Sequence, residues 1–286
     1  MDKFSKVTFI GFGLINSSLA HVFKLKTLAK ETTAFSRSKE TREKIKNLNI
    51  VDNVNDNIRE SVKDSDLIVL GVPVGAMESI VSEIAPFLKS GTIITDVGSV
   101  KKHLIDSILP ILPRDVHFVP GHPIAGTEKS GPEAGFAELF NVRWCILTPN
   151  KNTSQVALEK VKFIWEQAGM QITTMDAEYH DRVLAITSHI PHLVAFSIVG
   201  TVTELEDQLK TEVIKYSAGG FRDFTRIAAS DPIMWRDVFL NNSEAVLEML
   251  GRFIEDLTAL QKSIRWQDGD SLESLFTKTR EIRKGI

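Results

Sequence analysis

The chain has 286 residues, of which 43% are hydrophobic and 25% charged, and its formal net charge at pH 7 is -3. That length suggests about two domains, and the balanced charge offers no electrostatic basis for binding nucleic acid or an anionic membrane surface. A single cysteine, Cys145, excludes an internal disulfide, and its apolar setting in WCILT reads as a buried core thiol. The N-terminus runs directly into a strand pattern with no signal peptide, and no apolar stretch reaches the roughly 20 residues of a membrane span. A cytoplasmic protein is therefore expected.

In chain order, Val7–Ile10, Thr32–Phe35, Asp66–Leu70, Thr92–Thr95, Val116–Val119 and Trp144–Leu147 read as strands, several apolar at nearly every position, as strands buried on both faces should be. Amphipathic stretches such as Ala76–Leu88 alternate with them, which predicts a parallel sheet wound with helices on both faces. Gln171–Met175 closes the strand series. From Ala177 to Leu209 the pattern is helical and, between Val183 and Val202, apolar nearly all round, so that helix must be buried in a domain centre or a subunit interface. Val246, Leu247, Leu250, Phe253, Ile254, Leu257 and Leu260 keep helical spacing after an Asn242/Ser243 cap, and a last helix surrounds Leu272, Leu275 and Phe276. The sequence thus predicts a Rossmann-type α/β domain over 1–175, followed by an all-helical domain over 176–286.

GFGLINSS follows the first strand and opens a helix. Gly11 permits the tight turn, and Gly13 lets the backbone approach a pyrophosphate at the helix N-terminus, beside Leu14 and Ile15. The third glycine of the dinucleotide fingerprint is replaced by Asn16. The second strand ends in Ser36, Arg37 and Ser38, where NAD sites usually carry an acidic residue for the ribose diol. An arginine between two hydroxyls would suit a 2′-phosphate, so NADP is favoured over NAD, the alternative being a solvated loop arginine. Val72 and Pro73 in GVPVG, and Ser99 in DVGSVK, stand at the carboxyl edge of the sheet, on the rim of the cofactor crevice.

HFVPGHPIAG brings His122 to that same edge between two prolines, which hold the imidazole on a stiff loop. Alone it could be a structural hydrogen-bonder or a general base. SHIPH places His189 and His192 on one helix face around Pro191, and no third ligand stands at motif spacing to suggest a metal. GGFRDFTRIAASDP carries Arg222 and Arg226 one turn apart, with Trp235 on the next helix, a composition suited to carboxylates on a ring or to a salt-bridged surface helix.

Together GFGLINSS, DVGSVK, GHPIAGTEKSGPEAGF, the SHIPH helix and GGFRDFTRIAASDPIMWRD resemble the prephenate dehydrogenase family, which includes arogenate and cyclohexadienyl dehydrogenases, over nearly the whole chain. Asn16 departs from the glycine common there. The resemblance implies an NAD- or NADP-dependent oxidative decarboxylation of prephenate or arogenate in tyrosine biosynthesis, by a homodimer joined through the helical domain. It implies His122 as the base, Ser99 as its contact near the nicotinamide, and Arg226 as the substrate-carboxylate ligand. His192, Thr127, Glu128 and Trp235 fall at substrate-side positions, with Arg222 beside them or in an interface salt bridge. Two other readings are a different two-domain hydroxy-acid dehydrogenase, which would more often use a lysine base, and a non-catalytic dinucleotide sensor.

Overall fold

The computed structural model describes residues 3–127, 129–204, 211–212, 215–216 and 219–285, the Thr203 side chain excepted. Two compact units divide between Asn242 and Ser243.

The first unit is built on a six-stranded parallel sheet. Its strands are β1 (Phe4–Ile10), β2 (Ala29–Phe35), β3 (Asn53–Asn55), β4 (Leu67–Leu70), β5 (Ile93–Asp96) and β6 (His117–Val119), in the order β3-β2-β1-β4-β5-β6. The order reverses between β1 and β4, the crevice where open α/β sheets bind ligands. Helices α1 (Leu14–Lys26), α2 (Lys39–Leu48), α3 (Ile58–Val62), α4 (Val74–Ile84) and α5 (Lys102–Ile108) make the crossovers. Residues of β1, β4 and β5 alternate between two apolar clusters. Phe9, Leu67, Val69 and Ile93 join α1, whereas Ile10, Ile68, Leu70 and Ile94 join α4 and α5. This double burial is what their unbroken apolar runs required.

Trp144–Leu147 and Gln171–Thr174, expected in the same sheet, form a second one instead. β7 (Gly121–Pro123) pairs antiparallel with β8 (Trp144–Leu147), which pairs parallel with β9 (Gln171–Thr174). The chain leaves the main sheet at Pro120, which has no N–H to continue a ladder. His122 consequently sits on a strand rather than on the stiff loop read from its prolines. Helix α6 (Gln155–Gln167) links β8 to β9 and buries Val161, Ile164 and Trp165.

Next come α7 (Ala177–Leu184), a wide π turn (Ala185–His189) and α8 (Ile190–Thr203). Ile190 donates to the Ala185 carbonyl, five residues back. Pro191 explains the widening: it lacks an N–H and its ring crowds the carbonyl four residues earlier. The run Ala177–Val202 is long and apolar enough, by length and composition, to cross a membrane, contrary to the expectation that no stretch would be. Mean hydropathy overlooks how its polar residues are arranged, and His180, Asp181 and His189 are buried in hydrogen bonds to the rest of the unit. Nor is the run enclosed within the chain: Ile186 is 52% exposed and Ile198 36%. The expected helix end at Leu209 lies outside the described residues. Helices Gly219–Thr225 and Pro232–Asn241 complete this unit.

The second unit is a helical pair, Ser243–Arg265 and Gly269–Lys284. Asp268 caps the second helix by accepting from Ser271 N–H.

Candidate active site

At the β1–α1 turn Gly11 has φ +77°, and a Cβ there would lie 2.4 Å from Val72 Cγ1, so both the turn and the approach of GVPVG require glycine. A Cβ on Gly13 would meet nothing within 4 Å. Gly13 therefore leaves an open cradle over the N-terminus of α1, whose first turn holds no acidic residue and no side-chain cap. The partial positive charge of free amides there fits a dinucleotide pyrophosphate. Leu14 and Ile15 open that helix and pack on the first cluster. Val72 is half-buried, and Pro73 is the N-cap of α4.

Asn16 is buried under this turn and cannot touch a pyrophosphate. Its amide donates toward Gly11 O (2.7 Å), Val69 O (3.2 Å) and Ile10 O (3.3 Å), tying the glycine turn to the end of β4. The space that a third glycine would provide is provided across the sheet by Gly71, where a Cβ would fall 2.4 Å from Asn16 Nδ2.

At the adenosine end, Arg37 lines a cavity of about 390 Å³ with Phe35, Asp56, Asn57, Ile58, Arg59 and Glu83. Arg42 braces the loop by donating to Ser36 O (3.0 Å) and Arg37 O (2.8 Å), and it pairs with Asp56 at 3.5 Å. Ser38, expected among the cofactor contacts, has its hydroxyl engaged as the N-cap of α2, accepting from Thr41 N–H at 3.2 Å.

His122 pairs with Ile146 on β8. Just before it, Gly121 accepts from Lys101 Nζ (2.7 Å) and donates to Asp96 Oδ2 (3.3 Å). A Cβ on Gly121 would come 3.0 Å from the Asp96 carbonyl, so this approach too needs glycine. Lys101 and Asp96 form an ion pair with no exposed side-chain surface. The end of β5 and the start of α5 are thereby both joined to the residue before His122.

His122 Nδ1 lies 2.9 Å from His180 Nε2, and His180 Nδ1 lies 2.7 Å from Asp181 Oδ1. Asp181 also accepts from the backbone N–H groups of Lys101 and Lys102, each at 2.9 Å, at the start of α5. Burial holds the His122 imidazole well below its usual value, and His180, Lys101 and His189 act in the same direction. Burial likewise lowers His180, against the opposing pull of Asp181. Both rings are therefore neutral near pH 7.

The Asn242 amide donates to Asp181 O (2.9 Å) and to His189 Nδ1 (3.1 Å), which leaves the proton of His189 on Nε2. Burial lowers His189 to about 4. His192 donates from Nδ1 to Ser188 O at 2.9 Å and stacks on Trp235, ring centroids 3.7 Å apart. Burial lowers His192, its bond to Ser188 opposes that, and the Arg226 guanidinium lowers it further. Trp235 is 6% exposed and serves as the floor under His192. Two buried groups, His189 Nε2 and Trp235 Nε1, have no partner among the described residues.

Among the described residues, no hydrogen bond ties Ser99, Thr127 or Arg222 to this cluster. Ser99 is half-buried two residues before Lys101, and among the described residues no hydrogen bond joins it to His122. Thr127 accepts from Lys129 N–H at 3.2 Å within its own loop, Arg222 is exposed, and Glu128 lies outside the described residues. The sequence reading passed over His180, Asp181 and Lys101 as site residues and took Asn242 only for a helix cap. It also left SGPEAGF unexplained: Ser17 Oγ donates to Pro132 O (2.6 Å), Ser18 Oγ accepts from Phe136 N–H (3.1 Å), and a Cβ on Gly135 would overlap Ser17. That segment docks the loop after His122 onto α1.

Two family profiles match the chain: "Prephenate dehydrogenase, nucleotide-binding domain" over residues 19–174 and "Prephenate dehydrogenase, dimerization domain" over 176–278. The cyclohexadienyl dehydrogenase of Zymomonas mobilis is 43% identical over 286 residues, covering 100% of this chain and 97% of its own length. Prephenate dehydrogenase from Aquifex aeolicus, crystallised with hydroxyphenyl propionate and NAD+, superposes with a TM-score of 0.90 at 34% identity, covering 98% of this chain and 97% of that one. Synechocystis arogenate dehydrogenase gives 0.80 at 25% identity, covering 98% and 99%.

Proposed function

The chain belongs to the prephenate dehydrogenase family of dehydrogenases, and from that premise we propose that it oxidatively decarboxylates prephenate, arogenate or both, giving 4-hydroxyphenylpyruvate or tyrosine. The observation that carries this reading is the buried His122 imidazole, held by strand pairing and by a 2.9 Å contact with His180. Residues 1–175 bind the dinucleotide in this reading, and residues 176–286 bind substrate and form a homodimer. The exposed apolar side chains Ile186 and Ile198 support that assembly.

When bound, the nicotinamide supplies a hydride acceptor. His122 Nε2 takes the proton of the ring hydroxyl, and the carbon bearing that hydroxyl releases hydride. The bond to the ring carboxylate then breaks and its electron pair makes the ring aromatic, releasing carbon dioxide. The phenolate oxygen recovers the proton from His122, which returns to its neutral form. Arg226 binds a substrate carboxylate, with His192 beside it and Trp235 fixing the plane of that imidazole. Ser99, Thr127 and Glu128 line the substrate on this view, and Arg222 stands at the rim.

A lysine base, expected of other hydroxy-acid dehydrogenases, has no candidate in Lys101, which is buried against Asp96. For the cofactor, Ser36 and Arg37 support NADP. The second reading, NAD, is favoured by Asp56, whose carboxylate lines the same cavity as Arg37. The test is turnover on each of the two substrates with each of the two cofactors, repeated with His122→Asn. The variant should still bind cofactor while losing about a hundredfold to ten-thousandfold in kcat. A variant keeping more than half of wild-type turnover removes His122 from the chemistry.

A further inference from the structure

Asp181 fixes the direction of every proton in the chain that ends at His122. Its carboxylate accepts from two backbone N–H groups, those of Lys101 and Lys102, which can only donate. The carboxylate's third contact, made by Oδ1 at 2.7 Å, must then be a donor as well, so His180 carries its proton on Nδ1. A neutral His180 has a bare Nε2, and the 2.9 Å contact there requires His122 to donate from Nδ1. The Nε2 of His122 is left with its lone pair, as a base must be. Reversing any one link would reverse the next.

We propose that His180 and Asp181 are positioning residues that hold His122 in the Nδ1–H tautomer and stabilise the imidazolium formed when Nε2 takes the substrate proton. This rests on the reading of His122 as the base. On protonation no heavy atom has to move: the new N–H forms at Nε2, and the positive charge is shared through Nδ1–H to His180 and so to the carboxylate. The carboxylate is itself fixed by the N-terminus of α5, so the order of the chain is set by the main sheet, not by the ligand. The arrangement is analogous to the orienting carboxylate of hydrolytic triads, with a second imidazole interposed.

Two kinds of measurement test it. In protein labelled with ¹⁵N-histidine, wild-type His122 should show a protonated Nδ1 and a bare Nε2. Asp181→Asn presents an amide and should invert both rings, lowering kcat about a hundredfold to ten-thousandfold while the KM values for substrate and cofactor stay within about threefold. His180→Gln leaves Asp181 on its amides and offers an oxygen to His122 Nδ1–H, so it should keep kcat within about tenfold of wild type. His180→Leu, which offers none, should fall with Asp181→Asn. A wild-type His122 protonated on Nε2 overturns the proposal, as does Asp181→Asn or His180→Leu turning over like wild type. Should wild type act on neither prephenate nor arogenate, the functional reading fails. The ring-nitrogen signals then decide the tautomer independently of turnover.

Discussion

Replacing Gly71 by alanine should destabilise the protein only while Asn16 is present. The backbone is not the obstacle, because Gly71 does not occupy the left-handed region. The obstacle is the Asn16 side chain, with Nδ2 at 2.4 Å and Cγ at 2.6 Å from the new methyl. A flexible chain end could swing aside. Asn16 cannot, since it is 1% exposed and three carbonyls hold its amide. Overpacking of this kind costs about 1–3 kcal/mol. Asn16→Ala alone forfeits the bonds to Gly11 O and Val69 O, about another 1–3 kcal/mol where a buried acceptor is left without its donor. In the double variant the methyl added by Gly71→Ala enters the volume vacated by the amide, so the two losses should fall short of additive by about 0.5–3 kcal/mol. Urea unfolding of the four proteins measures the cycle. Cofactor titration should show Asn16→Ala weakening dinucleotide binding, because the amide spans both cofactor-facing turns. Losses that add to within about 0.5 kcal/mol would refute the idea that Gly71 stands in for the missing third glycine.

Lys101→Met should lower stability by about 3–5 kcal/mol by leaving Asp96 without its buried partner, with Lys101→Met/Asp96→Asn recovering part of it in chemical denaturation. His189 should make the fold acid-sensitive. Its folded value of about 4 lies below the ordinary 6.5, so its contribution is complete above pH 6.5 and is lost as pH falls toward 4. The loss is worth about 3 kcal/mol, and a denaturation series in which His189→Gln keeps the full acid slope would exclude it. Arg226→Gln should raise the KM for substrate far more than it lowers kcat, as expected of a carboxylate ligand used in ground and transition states alike; unchanged saturation would place its role elsewhere. Ser36→Asp should shift the ratio of kcat/KM values toward NAD, by about tenfold to a hundredfold if Arg37 pairs with a 2′-phosphate, and a wild-type ratio already favouring NAD would defeat that pairing.

The parts of the fold that were legible are those where one physical demand acts along a whole segment. Strands β1, β4 and β5 must bury both faces, so their apolar runs were visible, and Gly11 must turn with positive φ wherever its neighbours lie. β3 was missed because Asn53–Asn55 is a short polar strand paired only with β2, and such a strand carries no apolar signature. β7 was missed because Gly121–Pro123, preceded by one proline and ended by another, reads as a loop until β8 supplies a partner. Asn16 was read as a weakened motif, since nothing in GFGLINSS reveals that a glycine fifty-five positions later would make room for it.

The relay behind His122 was hidden for a related reason, and the clue to it was nonetheless present. EYHDR looks like the polar first turn of a helix, and at about 100° per residue His180 and His192 would point about 120° apart on one unbroken α-helix. The π turn at Ala185–His189 absorbs one residue, which reduces that separation to about 20° and lets one helical run serve the site twice. His180 Nε2 then meets His122 Nδ1 at 2.9 Å, while His192 stacks on Trp235. Pro191, in the middle of SHIPH, was the mark of that turn in the sequence. Read as a removed donor it signals only a defect in a helix. Its consequence is a change of phase, which on ideal helix geometry would bring His180 and His192 toward one face.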